Sequence, residues 1–211
     1  ASEVAEAQRA RMRAEAEAHW LFALGTLEEP AKRPTLVLVG GLPGTGKSTL
    51  ARGLAAAANF TVIRSDEVRK ELAGIPATQK GKGIYTPEWT GRTYLECLRR
   101  FGDIVRDGGR VIVDATFAHE PHRIAFLNRA RELAIPAVSF VCRLDPGTVR
   151  ERLQSRRDDV SDASWEVFEE MRDRWEELSP QTRRRTTDID TTNANDAVRA
   201  AVGVLRGMEL A

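Results

Sequence analysis

From residue 35 onward the chain alternates short apolar runs with longer polar–apolar stretches. Thr35–Val39 is the first run of β-branched and leucine positions, and Phe60–Arg64 is a second, ending at Ser65-Asp66. Arg110–Asp114 is a third, closing on a carboxylate, Ala137–Cys142 a fourth and Thr186–Asp190 a short fifth. Such runs bounded by turn residues read as buried strands. The stretches between them read as helices. One covers Lys47–Ala58 and another Glu67–Leu72, with Asp66 at its start. Thr86-Pro87-Glu88 has N-cap character with proline at the first helical position, and this helix runs to Asp107 before stopping at Gly108-Gly109. Further helices are expected over 119–134, from Asp145-Pro146 to Arg156 or Arg157, from a cap at Ser161 or Asp162 to Leu178, and over 195–208. Strands that alternate with helices predict a mostly parallel sheet covered by helices on both faces.

Residues 2–25 differ. They are rich in Ala, Glu and Arg, with no proline and no glycine before Gly25, a composition that favours helix. Large apolar residues gather at Trp20, Leu21, Phe22, Leu24 and Leu27, so the second half is expected to dock on the main body. The first half is expected to be exposed or to meet a partner. Residues 28–34 read as a linker. The expected division is therefore an N-terminal helical extension and linker over 1–33 and a single α/β domain over 34–211. Residues 73–87, rich in Gly, Pro, Lys and Gln, read as a mobile loop.

Composition narrows the class. The chain has 211 residues, 30% of them charged, with a net charge of +1, which offers no global basic field for nucleic acid and no acidic excess. Its two cysteines, Cys97 and Cys142, stand far apart in no metal-like spacing, as expected of buried thiols in a reducing compartment. No apolar run approaches 18 residues, so no membrane partner is expected and the expected location is the cytoplasm.

The strongest motif follows the first strand: Gly41-x-x-x-x-Gly46-Lys47-Ser48. Glycines at 41, 44 and 46 let the backbone curl so that successive N–H groups face phosphate oxygens, and the following helix adds its positive N-terminal end. Gly41, Leu42, Pro43, Gly44, Thr45, Gly46, Lys47, Ser48 and Thr49 are thus the candidate nucleotide-binding residues. Lys47 is suited to the β- and γ-phosphates, and the Ser48 hydroxyl to Mg²⁺. Asp66 follows the second strand on the same sheet edge. A carboxylate there is placed to accept the proton of an acceptor hydroxyl, and also to cap the next helix. Arg69, one turn on, is a candidate for an anionic group of the acceptor, and Asp114 at the end of the third strand for the Mg²⁺ site. Thr116 and Arg123 complete the candidate acceptor-binding residues. The Arg152–Arg157 run precedes an apparent hinge at 158–161, which makes about 152–165 a candidate lid carrying an arginine toward the triphosphate.

Gly40–Thr49, Arg64–Arg69, Val111–Phe117 and Arg152–Arg157, in that order and spacing, resemble the small P-loop kinases that include polynucleotide 5′-kinases, chloramphenicol phosphotransferases and zeta-type toxins. The chain is most similar to the ATP-binding kinase domain found behind an aminoglycoside-phosphotransferase-like domain in bacterial proteins. The resemblance covers residues 35–195. It implies a P-loop three-layer α/β/α fold with five strands in the order 2-3-1-4-5, and an adenine platform around Thr191–Asn195. It further implies ATP and Mg²⁺ as cofactors, Asp66 as general base, Arg69 on an acceptor phosphate, and Arg156 or Arg157 as the lid arginine. The function expected is transfer of the γ-phosphoryl group of ATP to a hydroxyl of a small molecule. Two other readings stand beside it. One is a polynucleotide 5′-hydroxyl kinase acting on a nucleic-acid end, with Arg69, Lys80, Lys82 and Arg183–Arg185 on phosphates. The other is a nucleotide-dependent binding module with weak ATPase activity that recruits a partner, or an upstream phosphotransferase-like domain, through residues 1–30.

Overall fold

The computed structural model describes residues 2–76, 79, 81, 83–155 and 164–211. Five parallel strands form one sheet in the order β2-β3-β1-β4-β5, with β1 at Thr35–Gly40, β2 at Thr61–Arg64, β3 at Arg110–Asp114, β4 at Ala137–Arg143 and β5 at Thr186–Asp190. This is the order that the resemblance implied. β1 and β3 are buried along their whole length, as central strands of a sheet covered on both faces must be.

Strand alternation divides the core in two. Leu36, Leu38, Val111 and Val113 point to one face. There they meet α4 (Pro87–Arg106) through Tyr94, Cys97, Phe101 and Val105, and α5 (Glu120–Glu132) through Phe126, Leu127 and Ala130. Val37, Val39, Ile112, Val138 and Phe140 point to the other. There they meet α2 (Lys47–Ala58) through Leu50, Ala51 and Leu54, and α9 (Ala194–Gly207) through Ala197, Ala201 and Leu205. Burying such side chains contributes about 1.5–3 kcal/mol each, so the two layers fix the sheet from both sides.

α1 spans Ser2–Leu27. Its docking is narrower than the sequence suggested. Leu21 is 1% exposed and belongs to the first core cluster, but Trp20, Phe22 and Leu27 stay exposed. On a helix that touches the body along one face, residues 20 and 22 fall on either side of the turn that buries 21. The linker holds a short 3₁₀ turn at Pro30–Lys32.

Helix boundaries follow local signals. Thr86 caps α4, its hydroxyl accepting from the Trp89 amide at 3.3 Å. Gly108 then turns the chain at φ 78°. α3 (Ser65–Leu72) begins two residues earlier than expected, so Asp66 lies in its first turn and is not its cap. α6 covers Pro146–Ser155. The cap expected at Ser161 or Asp162 lies outside the described residues. The helix that is described, α7 (Trp165–Asp173), is capped by Ser164. α7 also stops before the expected Leu178, and a short α8 (Pro180–Arg183) follows. The reason is a change of hydrogen-bond partner: the Glu176 amide donates to the Ala118 carbonyl, and the Glu176 and Glu177 carbonyls accept from Arg123.

Candidate active site

Parallel pairing brings the C-terminal ends of β1, β2 and β3 to one edge. Val39 pairs with Asp114, and Arg64 pairs with the same Asp114. The phosphate loop leaves β1 at this edge, and the loop after β3 runs beside it, with the Gly41 amide donating to the Thr116 carbonyl at 3.1 Å. Ligands of open parallel sheets bind at such an edge.

The loop geometry accounts for its glycines. Gly41 has φ 137°, and a Cβ there would lie 2.9 Å from the Cys142 carbonyl oxygen. Gly44 has φ 80°, and a Cβ would lie 2.7 Å from Val149 of α6. Gly46, at φ 88°, is the residue from which α2 starts. The Thr45 hydroxyl donates to the Leu42 carbonyl at 2.7 Å, and the Lys47 ammonium donates to the same carbonyl at 2.9 Å. Thr191 braces the loop from behind, its hydroxyl donating to the Thr45 carbonyl at 2.6 Å. Arg152 donates to the Thr191 and Thr192 carbonyls at 3.2 and 3.0 Å.

In front of the loop lies a cleft of about 670 Å³. Pro43, Gly44, Gly46, Lys47, Ser48 and Thr49 line its donor side, with Asp66, Asp114 and Thr116 on the same walls. Gly41, Leu42 and Thr45 shape the loop without lining the cleft. Asp66 is half-buried. Burial raises its carboxyl above the ordinary range, against the cations Lys47, Arg69 and Arg64, which lower it, while Asp114 adds to the rise. A carboxyl so placed binds a proton more readily than a free aspartate, the property of a general base. Asp114 is 5% exposed, with Arg64 Nε 3.5 Å from one carboxylate oxygen. Arg64 also donates to Glu67 at 2.8 Å.

Ser48 and Asp114 offer a hydroxyl and a carboxylate on one cleft, the hard oxygen set that Mg²⁺ takes. Among the described residues no three His, Cys, Asp or Glu side chains cluster as a cage. A metal here would draw its other ligands from a nucleotide and water.

Two candidates stand elsewhere. Arg69 is buried and does not line the cleft; its guanidinium donates to the Ile84 carbonyl at 3.0 Å and stacks 5.0 Å from the Tyr85 ring. It therefore holds the loop before α4. Arg123, expected to bind the acceptor, is 2% exposed and does not reach the cleft. Its N–H groups are taken by the Phe117, Ala118, Glu176 and Glu177 carbonyls and by Glu120, so it has none to offer an acceptor. Arg156 and Arg157, most of the expected lid, Lys80 and Lys82 lie outside the described residues. Thr191 and Asn193 are engaged in bracing the loop and capping α9.

The sequence reading missed several cleft residues: Arg52, Tyr85, Val167, Glu170, Met171 and Arg174, and the role of Arg64 as a wall. Arg52 had a signal, since it falls one turn after Ser48 on the same helix face. α7 had none: the helix packs on α6, where Arg150 lies over the Trp165 ring, and it is the turn after it that bonds to residues 118 and 123.

Among the described residues no helix is long and apolar enough to cross a membrane. The model of one family, described as an AAA domain (AAA_33), matches residues 36–178. The uncharacterized protein Rv2004c of Mycobacterium tuberculosis is 33% identical over 159 residues, 73% of this chain and 32% of its own length. This chain thus spans about a third of the length of that relative. A shikimate kinase of Corynebacterium efficiens is 33% identical over 87 residues, 40% of this chain and 51% of its own. Among solved structures, a gluconokinase from Sinorhizobium meliloti aligns with a TM-score of 0.60 at 17% identity, covering 83% of this chain and 93% of that one. A sugar kinase from Janibacter sp. aligns with a TM-score of 0.61 at 16% identity, covering 82% and 94%. The phosphate loop, the strand order and the family match over most of the sheet agree: this chain belongs to the AAA_33 family of AAA domains and has the fold of the P-loop kinases.

Proposed function

We propose that this protein is an ATP- and Mg²⁺-dependent kinase that transfers the γ-phosphoryl group to a hydroxyl of a small molecule. The observation that carries this reading is Asp66, a carboxyl with a raised proton affinity on the same cleft as Lys47 and Ser48. A carboxyl so placed is suited to take the proton of a hydroxyl that faces the phosphate loop, a task that nucleotide binding alone does not need. The kinase names carried by the shikimate kinase relative and the gluconokinase and sugar kinase neighbours support small-molecule acceptors. Like Rv2004c, the full protein is proposed to join this domain to a longer chain, and the aminoglycoside-phosphotransferase-like domain is the proposed companion.

Each residue has a role. The loop backbone and Lys47 hold the donor phosphates. Ser48 and Asp114 would hold Mg²⁺, which would supply charge neutralisation for the donor phosphates. Asp66 takes the proton of the acceptor hydroxyl as its oxygen attacks phosphorus, and ADP leaves with the bridging oxygen. Arg156 or Arg157 is the proposed lid arginine.

The test is ³¹P NMR of the protein with Mg·ATP and a panel of sugars, polyol acids, aminoglycosides, nucleosides and 5′-hydroxyl oligonucleotides. The expected result is a new phosphoester signal from one small-molecule class, absent for Asp66→Asn, with Mg·ADP affinity unchanged within about threefold. Equal transfer by Asp66→Asn would overturn the base assignment. A phosphoester on the oligonucleotides alone would favour the polynucleotide reading.

A further inference from the structure

We propose that Arg123 is a positioning residue, a clamp that sets the distance between the two walls of the cleft on the acceptor side. The inference rests on the kinase reading only for its effect on turnover.

The geometry is specific. The end of β3 and the loop after it contribute Asp114, Ala115 and Thr116 to the cleft, and the loop continues into Phe117 and Ala118. The other wall comes from α7 and its C-cap: Val167, Glu170, Met171 and Arg174. The chain continues from there into Trp175, Glu176 and Glu177. Arg123 joins the two continuations. Nε donates to the Phe117 carbonyl at 2.7 Å, and Nη2 to the Ala118 and Glu176 carbonyls at 2.8 and 2.9 Å. Nη1 donates to Glu120 at 2.7 Å and to the Glu177 carbonyl at 3.4 Å. These contacts use all five N–H groups of the guanidinium. The Trp175 ring lies 4.9 Å from the guanidinium carbon.

One backbone contact and one to a side-chain carboxylate repeat the link in both directions. The Glu176 amide donates to the Ala118 carbonyl at 2.9 Å, and the Glu120 amide donates to the Glu176 carboxylate at 2.6 Å. Phe117 holds φ 52°, and its amide donates to the Tyr94 hydroxyl at 2.9 Å. A non-glycine residue in the left-handed region is costly, and it turns the loop carbonyls toward Arg123. Since α7 is a short helix of Trp165–Asp173, the clamp three to four residues beyond its end fixes its wall relative to Asp114 and Thr116.

Lysine supplies three donors where arginine supplies five in a planar fork, so Arg123→Lys keeps the charge and loses the geometry. Two measurements test it. Hydrogen exchange should show the Glu176 and Glu120 amides exchanging at least tenfold faster, with α2 and the core strands unchanged. Steady-state turnover of Mg·ATP, with the acceptor found by the panel or with water, should show kcat reduced at least tenfold and KM for Mg·ATP within about threefold of the parent. Glu176→Ala, which cuts the exposed end of the clamp, should move both readings in the same direction by a smaller factor, and it serves if Arg123→Lys does not fold. The clamp is overturned if exchange at 176 and 120 is unchanged. It is also overturned if kcat and nucleotide affinity fall together with overall stability, the pattern of a merely structural residue. A parent protein without phosphoryl transfer would defeat the kinase reading, while the exchange experiment would still decide the clamp.

Discussion

Burial holds the Asp66 carboxyl above its ordinary range, so folding favours its protonated form. With a raised folded pKa, the favourable contribution is complete below the unfolded value and is lost as pH rises through the folded one. Above the ordinary aspartate range the burial of this carboxyl therefore costs stability, and Asp66→Asn is expected to raise the melting temperature while abolishing transfer. A gain of about 1 kcal/mol corresponds to about 2–4 °C for a domain of this size. Thermal unfolding followed by circular dichroism at pH 7 checks it, and an unchanged or lower midpoint would remove burial as the dominant influence. Arg69 lowers the same pKa through its charge. Arg69→Met should therefore shift the acid limb of the kcat/KM profile to higher pH, whereas a limb that stays put would uncouple the two residues. Lys47, Ser48, Asp66 and Asp114 were legible because glycine spacing and strand ends locate them without any knowledge of packing. Arg123 was legible as a residue of interest and illegible in role. Its partners are carbonyls of residues 117, 118, 176 and 177, and no pattern in sequence marks four carbonyls that converge across more than fifty positions.

At the scale of elements, α6 rests directly on the phosphate loop. A Cβ at Gly44 would lie 2.7 Å from Val149 and 3.0 Å from Leu153, both on α6. Gly44→Ala must therefore either push the helix away or deform the loop, and it also strains a residue at φ 80°. Mg·ADP affinity, measured by calorimetry, is expected to fall at least tenfold. The double variant Gly44→Ala/Val149→Ala removes the nearer clash and leaves the backbone strain, so it should recover only part of the loss. Full recovery would assign the glycine to helix packing alone. The strands and the start of α4 were readable because apolar runs and the Thr86-Pro87 pair are local signals, whereas the Asn193 cap of α9 was found only in the structure. The end of α7 was not readable either, because its last turn was traded for bonds to Ala118 and Arg123 rather than stopped by a residue of its own.

For the whole molecule, the question is what α1 does, since the chain spans about a third of the length of Rv2004c and a partner for this helix is part of one reading. The structure divides the helix at Glu17. Beyond it, Leu21 is 1% exposed within the core cluster, and Glu17 pairs with Arg106 of α4 and sits 3.9 Å from Arg129 of α5. Before it, Val4 and Met12 are exposed, and Arg11 pairs with Glu15 of the same helix. Truncating a buried leucine costs about 2–5 kcal/mol. Deleting residues 1–30 removes Leu21 and also the chain leading to the Ala31 carbonyl, which accepts from buried Arg110. That deletion should lower the melting temperature by about 2–4 °C for each kcal/mol lost, and any loss of catalysis with it would speak of folding rather than of a partner. Deleting residues 1–16 should leave the midpoint within about 2 °C, because it removes only exposed turns and a surface ion pair worth a few tenths of a kcal/mol. The shorter deletion is therefore the one that separates the readings. Full phosphoryl transfer in its absence places residues 1–16 outside catalysis and leaves them to an interaction, whereas a drop in kcat at an unchanged melting temperature would make the N-terminal turns part of the enzyme.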